Sequence, residues 1–171
     1  MEKVLYTIGH SRHDPETFLK LLERFGIRVL ADVRRWPGSR KFPHFRKEAL
    51  REWLSRSGIT YLHLPGLGGW RRPRSDSPNT GLENPGFRGY ADHMHTVEFR
   101  ADLERLLEIA HRESTTVMCA EGFPWRCHRW FLADALLLKG FRVLHILPEG
   151  AVREHRLHPR AHSQGGIPVY R

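Results

Sequence analysis

Residues 119–130 read CAEGFPWRCHRW and hold both cysteines of the 171-residue chain, with a carboxylate, a histidine, two arginines and two tryptophans. A thiol reacts as its thiolate, and it ionises more readily beside cations or at a helix N-terminus. An apolar helical pattern, WFLADALLLKG, follows the stretch, so Cys127 is expected at a helix start as a nucleophile. His128 joins it among the catalytic candidates, but side chains at i and i+1 of a helix point apart. His10 and Glu121 are therefore expected as the acid/base partners. Cys119 closes the apolar run TTVM and reads as core. Arg126 and Arg129 could hold an anionic substrate or stabilise a thiolate.

The same residues leave two other chemistries open. Cys119, Glu121, Cys127 and His128 could bind a metal, although their spacing is not the paired C-x-x-C of structural zinc sites. Cys119 and Cys127 could also be a redox pair, although no thioredoxin-type C-x-x-C occurs. No metal is assigned. No cofactor is expected, because G-x-G-x-x-G, P-loop and G-x-S-x-G motifs are all missing. The histidines of HRLHPRAH, near the C-terminal end of the sequence, are expected on the surface.

These groups need a frame. KVLYTIGH, IRVLADV, ITYLHL, TTVMCA and FRVLHIL are apolar, β-rich runs, and helical patterns alternate with them. DPETFLKLLERFG shows a cap at Asp14, Pro at the first helical position and a Gly stop. KEALREWLSRSG is a second helix. A third helical stretch, from Tyr90 to Glu113, has an expected break near Thr96. Continuous apolar strands indicate a parallel sheet covered on both faces. The fold expected is one α/β domain over 1–171, Rossmann-like, with three layers and a mostly parallel open sheet of about five strands. From about Pro148 the chain reads as a less regular tail, with a short strand at IPVYR.

In such sheets ligands bind at the carboxyl ends of the strands. Those ends deliver His10, Ser11 and Arg12; Asp32 and Arg34; Gly68 and Gly69; then Cys119 and Glu121. The opposite ends are plain helix stops. Gly68 and Gly69 could let a backbone approach a phosphate or merely turn a corner. Ser11 could be a nucleophile or a helix cap, and Asp32 could orient a catalytic group or pair with Arg34 or Arg126.

A net charge of +9 suggests polyanionic partners. It clusters in RRWPGSRKFPHFRK, residues 34–47, which has six basic residues and no acid. Arg35, Trp36, Arg40 and Lys41 there, with Arg71 and Arg72, are candidates for following phosphates and stacking on bases. The same charge could serve substrate steering alone. No apolar run approaches the roughly 20 residues of a membrane span, so no membrane partner is expected. Two cysteines and no signal-peptide pattern point to the cytoplasm.

Taken in order, TIGHS, LADVRRWPGSR, YLHLPGLGG, GFRGYADHM and MCAEGFPWRCHR resemble the bacterial and archaeal domain-of-unknown-function family 488. The resemblance covers most of the chain. It implies a compact α/β domain and points to the same polar junctions. The function expected is an enzyme of thiol-dependent transferase or hydrolase type. Its partner is an anionic small molecule or nucleic acid, and its substrate is derived from a nucleotide or nucleic acid. The alternative is a non-catalytic nucleic-acid-binding module that uses the loop 34–47.

Overall fold

A computed structural model describes residues 3–171. The first half of the chain forms β1 (Lys3–Gly9), α1 (Pro15–Arg24), β2 (Val29–Asp32), α2 (Lys47–Arg56) and β3 (Thr60–His63). Next come α3 (Pro85–His93), α4 (Val97–Arg112), β4 (Thr115–Cys119), α5 (Arg129–Leu138) and β5 (Phe141–Ile146). The chain finishes with β6 (Val152–Glu154), β7 (Ala161–Gln164) and β8 (Ile167–Tyr170).

Local chemistry explains the helix starts. Asp14 accepts from the Thr17 N–H at 2.7 Å, and Pro15 occupies the first turn of α1. Asn84 caps α3 and Thr96 caps α4 in the same way. The long helical pattern is thus two helices, broken at Thr96 as expected. Its first helix begins at Pro85, ahead of the apolar periodicity.

The six-stranded sheet runs β3-β2-β4-β1-β5-β6, and every pair is parallel except β5–β6. α1 and α2 cover one face, burying Phe18, Leu22, Leu50 and Leu54 with Ile8, Leu30 and Met118 of the strands. α3, α4 and α5 cover the other, where Tyr90, Phe99, Leu106 and Leu132 meet Leu5, Ala31, Val117 and Val143. The architecture is three-layered, α/β and Rossmann-like. No helix among the described residues is long and apolar enough to cross a membrane.

The strand order creates the cleft. From β1 the chain crosses past β4 to reach β2, whereas from β4 it crosses past β1 to reach β5. β1 and β4 are neighbours with Gly9 beside Cys119, so the loops leaving them diverge to opposite faces. Gly9 is required here: a Cβ on it would lie 1.8 Å from the Glu121 carbonyl oxygen.

Beyond Pro148 the chain is more regular than the sequence reading allowed. β6 extends the sheet as an antiparallel edge, and β7 and β8 form a separate hairpin around Gly165 and Gly166. Both glycines take positive φ, 63° and 80°, as a two-residue hairpin turn demands. β7 faces mostly solvent and so lacks an apolar signature, while β8 is wholly buried.

Tyr170 anchors that hairpin from a fully buried position. Tyr170→Ala is expected to lower unfolding free energy by about 3–5 kcal/mol. Leu157→Ala, at an exposed site, should change it by less than about 0.5 kcal/mol. Urea denaturation of the two variants checks the contrast.

Candidate active site

Cys127 does not sit on the helix. α5 begins at Arg129, His128 is its N-cap, and Cys127 closes a 3-10 turn at Pro124–Arg126. Freed from helical geometry, neighbouring side chains can meet. The Nδ1 of His128 lies 3.4 Å from the Cys127 sulfur. This corrects the expectation that the pair point apart. The His128 Nε2 is 3.1 Å from the Val33 carbonyl oxygen. A carbonyl only accepts, so Nε2 carries the proton and Nδ1 presents a lone pair to the thiol. Burial holds the His128 pKa down, keeping the ring neutral.

Cys119 is buried as expected, yet it also belongs to the site. Its sulfur is 2.9 Å from that of Cys127 and 3.5 Å from the Glu121 carbonyl oxygen. Burial raises its pKa well above that of an ordinary thiol, and contact with Cys127 raises it further. Burial would raise Cys127 too. The thiol of Cys119 and the guanidinium and backbone N–H of Arg129 outweigh burial, and the Cys127 pKa falls below its usual value.

Arg129 is fully buried, which corrects its assignment as a ligand clamp. Nη2 donates to the carbonyls of Glu121 and Gly122 at 2.7 and 3.1 Å, and Nη1 donates to Thr7 Oγ1 at 2.8 Å. From Thr7 a buried chain continues. Thr7 Oγ1 lies 2.5 Å from His145 Nδ1, His145 Nε2 2.9 Å from His155 Nδ1, and His155 Nε2 2.7 Å from Asp134. Arginine can only donate and a carboxylate only accepts. The carboxylate end therefore fixes one proton, with His155 Nε2–H donating to Asp134, and burial keeps the His145 ring neutral. Tyr170 and the His158 N–H complete the shell of Asp134 at 2.7 and 3.1 Å. His155 is thus core, not surface, because it fills the gap between two buried polar groups.

Asp32 is fully buried as well, and its carboxylate has no face toward a ligand. It accepts a two-point bond from Arg34 at 2.9 and 2.8 Å and a 2.5 Å bond from the Tyr61 hydroxyl. Arg34 also donates to the Phe45 carbonyl, while its Nη1 has no partner among the described residues. Asp32 holds Arg34 in place. His10 stacks on Phe45 with centroids 4.5 Å apart, and burial, the largest effect, lowers its pKa to about 4.

Two adjoining hollows, about 660 and 430 Å³, line the carboxyl edge. The first holds His10, Ser11, Arg12 and Lys41, and the second holds Gly69, Trp70, Cys127 and His128. Arg34, Trp36, Glu121 and Arg126 border both. Glu121 accepts from the Phe123 N–H at 3.2 Å. Ser11 caps no helix, since Asp14 does, and it takes a strained φ of 48°. Gly68 does not line the cleft. It is packed so tightly that a Cβ would meet the Arg35 backbone at 2.7 Å.

The basic candidates divide. Arg35 stacks over Trp36 at 4.7 Å and donates to the Trp70 carbonyl. Arg71 is spent on the carbonyls of Pro65 and Gly68 and on Glu98. Arg72 and Arg74 flank a third hollow that shares Arg35 and Trp70 with the second. Arg40 is exposed outside all three. No group of three or more His, Cys, Asp or Glu side chains is arranged to hold a metal among the described residues.

Sequence reading missed Thr7, Tyr61, Asp134, His145 and His155. One signal was available: Asp134 interrupts the otherwise apolar run WFLADALLL, and a carboxylate buried in a helix needs partners.

Fold and cleft together define a three-layer α/β protein with a cysteine–histidine pair beside the switch point of its sheet. The chain belongs to the family described as Domain of unknown function DUF488, whose model matches residues 14–136. No curated protein and no solved structure matches it.

Burial lowers the His10 pKa to about 4 and that of His145 to about 2, both from an ordinary value of 6.5. Below pH 6.5 the unfolded chain binds protons that these native rings refuse. Their contribution is therefore intact above pH 6.5 and is lost progressively as pH falls toward 4. Urea midpoints measured from pH 7 to pH 4.5 should fall steadily, and His10→Gln should flatten part of that slope.

Proposed function

We propose that this protein is a cysteine-dependent enzyme of transferase or hydrolase type acting on an anionic, nucleotide- or nucleic-acid-derived substrate. One observation carries the reading. The Cys127 sulfur lies in the wall of a cationic cleft, 2.9 Å from a second thiol and 3.4 Å from a histidine lone pair. His128 takes the thiol proton, and Val33 fixes the tautomer that allows it. Cys119 and Arg129 stabilise the thiolate. Arg34, oriented by Asp32, grips the anion together with Arg126, Arg12 and Lys41. Glu121, at the border of the two hollows, and His10, in the first with its Nδ1 against the Ser11 carbonyl, are placed to act in acid/base steps, His10 as the base. Free thiols of this kind suit a reducing cytoplasm.

Iodoacetamide labelling against pH tests the nucleophile. Cys127 should alkylate with an apparent pKa below that of an ordinary thiol, and Cys119 should not compete. Turnover, found by screening nucleotides and oligonucleotides, should vanish in Cys127→Ser. It should drop about 10²–10⁴-fold in His128→Gln. Undiminished activity in Cys127→Ser would overturn the proposal.

The exposed indoles favour a second reading, a nucleic-acid-binding module. Trp36 and Trp70 are 66% and 83% exposed beside Arg35, Arg72 and Arg74, a composition suited to stacking on bases and following phosphates. On this reading single-stranded oligonucleotide affinity falls steeply with salt, and Arg35→Glu with Arg72→Glu weakens it further without any turnover. Fluorescence titration at two salt concentrations checks this. Affinity indifferent to salt counts against it.

A further inference from the structure

We propose that Cys119 and Cys127 carry a second activity in the same cleft, in which a hydroperoxide oxidises Cys127 and Cys119 converts the product to an intramolecular disulfide. The inference rests on the nucleophilic Cys127 of the preceding reading, but on no particular substrate for it.

Position comes first. The sulfurs are 2.9 Å apart as free thiols, and a disulfide bond of about 2.05 Å requires them to close by about 1 Å. They stand at the two ends of one loop, Cys119 ending β4 and Cys127 just ahead of α5. Both border the 430 Å³ hollow. Of the two, Cys127 is the more open to it, 7% exposed against 2% for Cys119, so a small oxidant entering there meets Cys127 first.

The two thiols are also unlike, as a nucleophile and a resolving partner must be. Cys127 has His128 to take its proton and Arg129 to stabilise its charge. Cys119 ends a fully buried strand and keeps its proton. It therefore remains a thiol until a neighbouring sulfur becomes electrophilic.

In the first step the Cys127 thiolate attacks the terminal oxygen of the hydroperoxide. The O–O bond breaks, and the departing alkoxide takes the proton held by His128, leaving an alcohol and a sulfenic acid. In the second step the Cys119 sulfur attacks that of Cys127. The S–O bond breaks, and the hydroxyl leaves as water with the Cys119 proton. Two thiols and a hydroperoxide become a disulfide, an alcohol and water. Each sulfur gives up one electron and the peroxide accepts two. A small dithiol returns the pair to the reduced state.

The test uses the full reduced chain treated with hydrogen peroxide, followed by intact-mass measurement. The wild type should lose about 2 Da and both titratable thiols together, with full recovery in dithiothreitol. Cys119→Ser and Cys119→Ala should instead gain about 16 Da at Cys127 and form a dimedone adduct there. Two replacements keep the result independent of how either packs, and circular dichroism confirms that each is folded. Three outcomes would overturn the inference: a wild-type gain of about 32 Da at Cys127 without loss of Cys119, disulfides only between chains, or identical oxidation of wild type and Cys119 variants. Iodoacetamide separates the readings. Rapid alkylation of Cys127 without disulfide formation sinks the redox step alone, whereas failure of both sinks the nucleophile too.

Discussion

A guanidinium with no solvent exposure has to be satisfied from within, and Arg129 is in that position. Leaving such a charge uncompensated costs several kcal/mol. No carboxylate lies within ion-pair distance of it among the described residues, and its buried Nε has no acceptor there. The rest of the cleft follows from this requirement. The carbonyls of Glu121 and Gly122 turn toward the cation, which sets the path of the loop after β4. Thr7 and the two histidines relay its polarity to Asp134. The remaining positive charge favours a negative sulfur at Cys127, so a structural need and a chemical capability share one residue.

The anion-gripping side of the cleft obeys a parallel rule with opposite signs. Asp32 is the buried charge there, and Arg34 and Tyr61 satisfy it. Because Asp32 and the Phe45 carbonyl hold one edge of Arg34, the guanidinium is pinned before any ligand arrives, reducing the entropy lost on binding. Each half thus places a fully buried charge behind a working group in the cleft wall. The sheet order brings the halves together, since the loops after β1 and β4 diverge while that after β2 lies on the far side of β4.

Much of the frame was legible in the sequence because it depends on local rules. Asp14, Pro15 and the spacing of Phe18, Leu21 and Leu22 announce α1, and continuous apolar strands announce a covered parallel sheet. The carboxyl edge followed from the alternation of elements, and it does contain His10, Glu121, Cys127 and His128. What escaped depends on events between neighbours or across long separations. Cys127 and His128 meet because the helix begins at Arg129, two residues beyond the start expected at Cys127, after the turn at Pro124–Arg126. His145 reads as an ordinary strand residue, and His155 as part of an arginine-rich surface run. Their alignment requires β5, β6 and α5 to be packed already. β7 was hidden because its side chains mostly face water. Gly165 and Gly166, a familiar hairpin pair, still marked its turn.

β1 occupies the middle of the sheet, but its partners are the late strands: Gly9 lies beside Cys119, and Lys3 beside Phe141. Thr7 and Arg129 are separated by 122 positions and Thr7 and His145 by 138. Contacts spanning so much chain are slow to form, because loop-closure entropy is lost before they repay it. The first strand must therefore wait, unpaired along both edges, until β4 and β5 are available. Its hydrophobic run is guarded meanwhile only by α1 and the chain around it. The polar cleft appears with the last of these pairings. A chain that has not yet closed its sheet has no relay, no pinned thiolate and no divergence of loops. Partial unfolding that separates β1 from β4 would accordingly dismantle the chemistry and expose an aggregation-prone strand in one event.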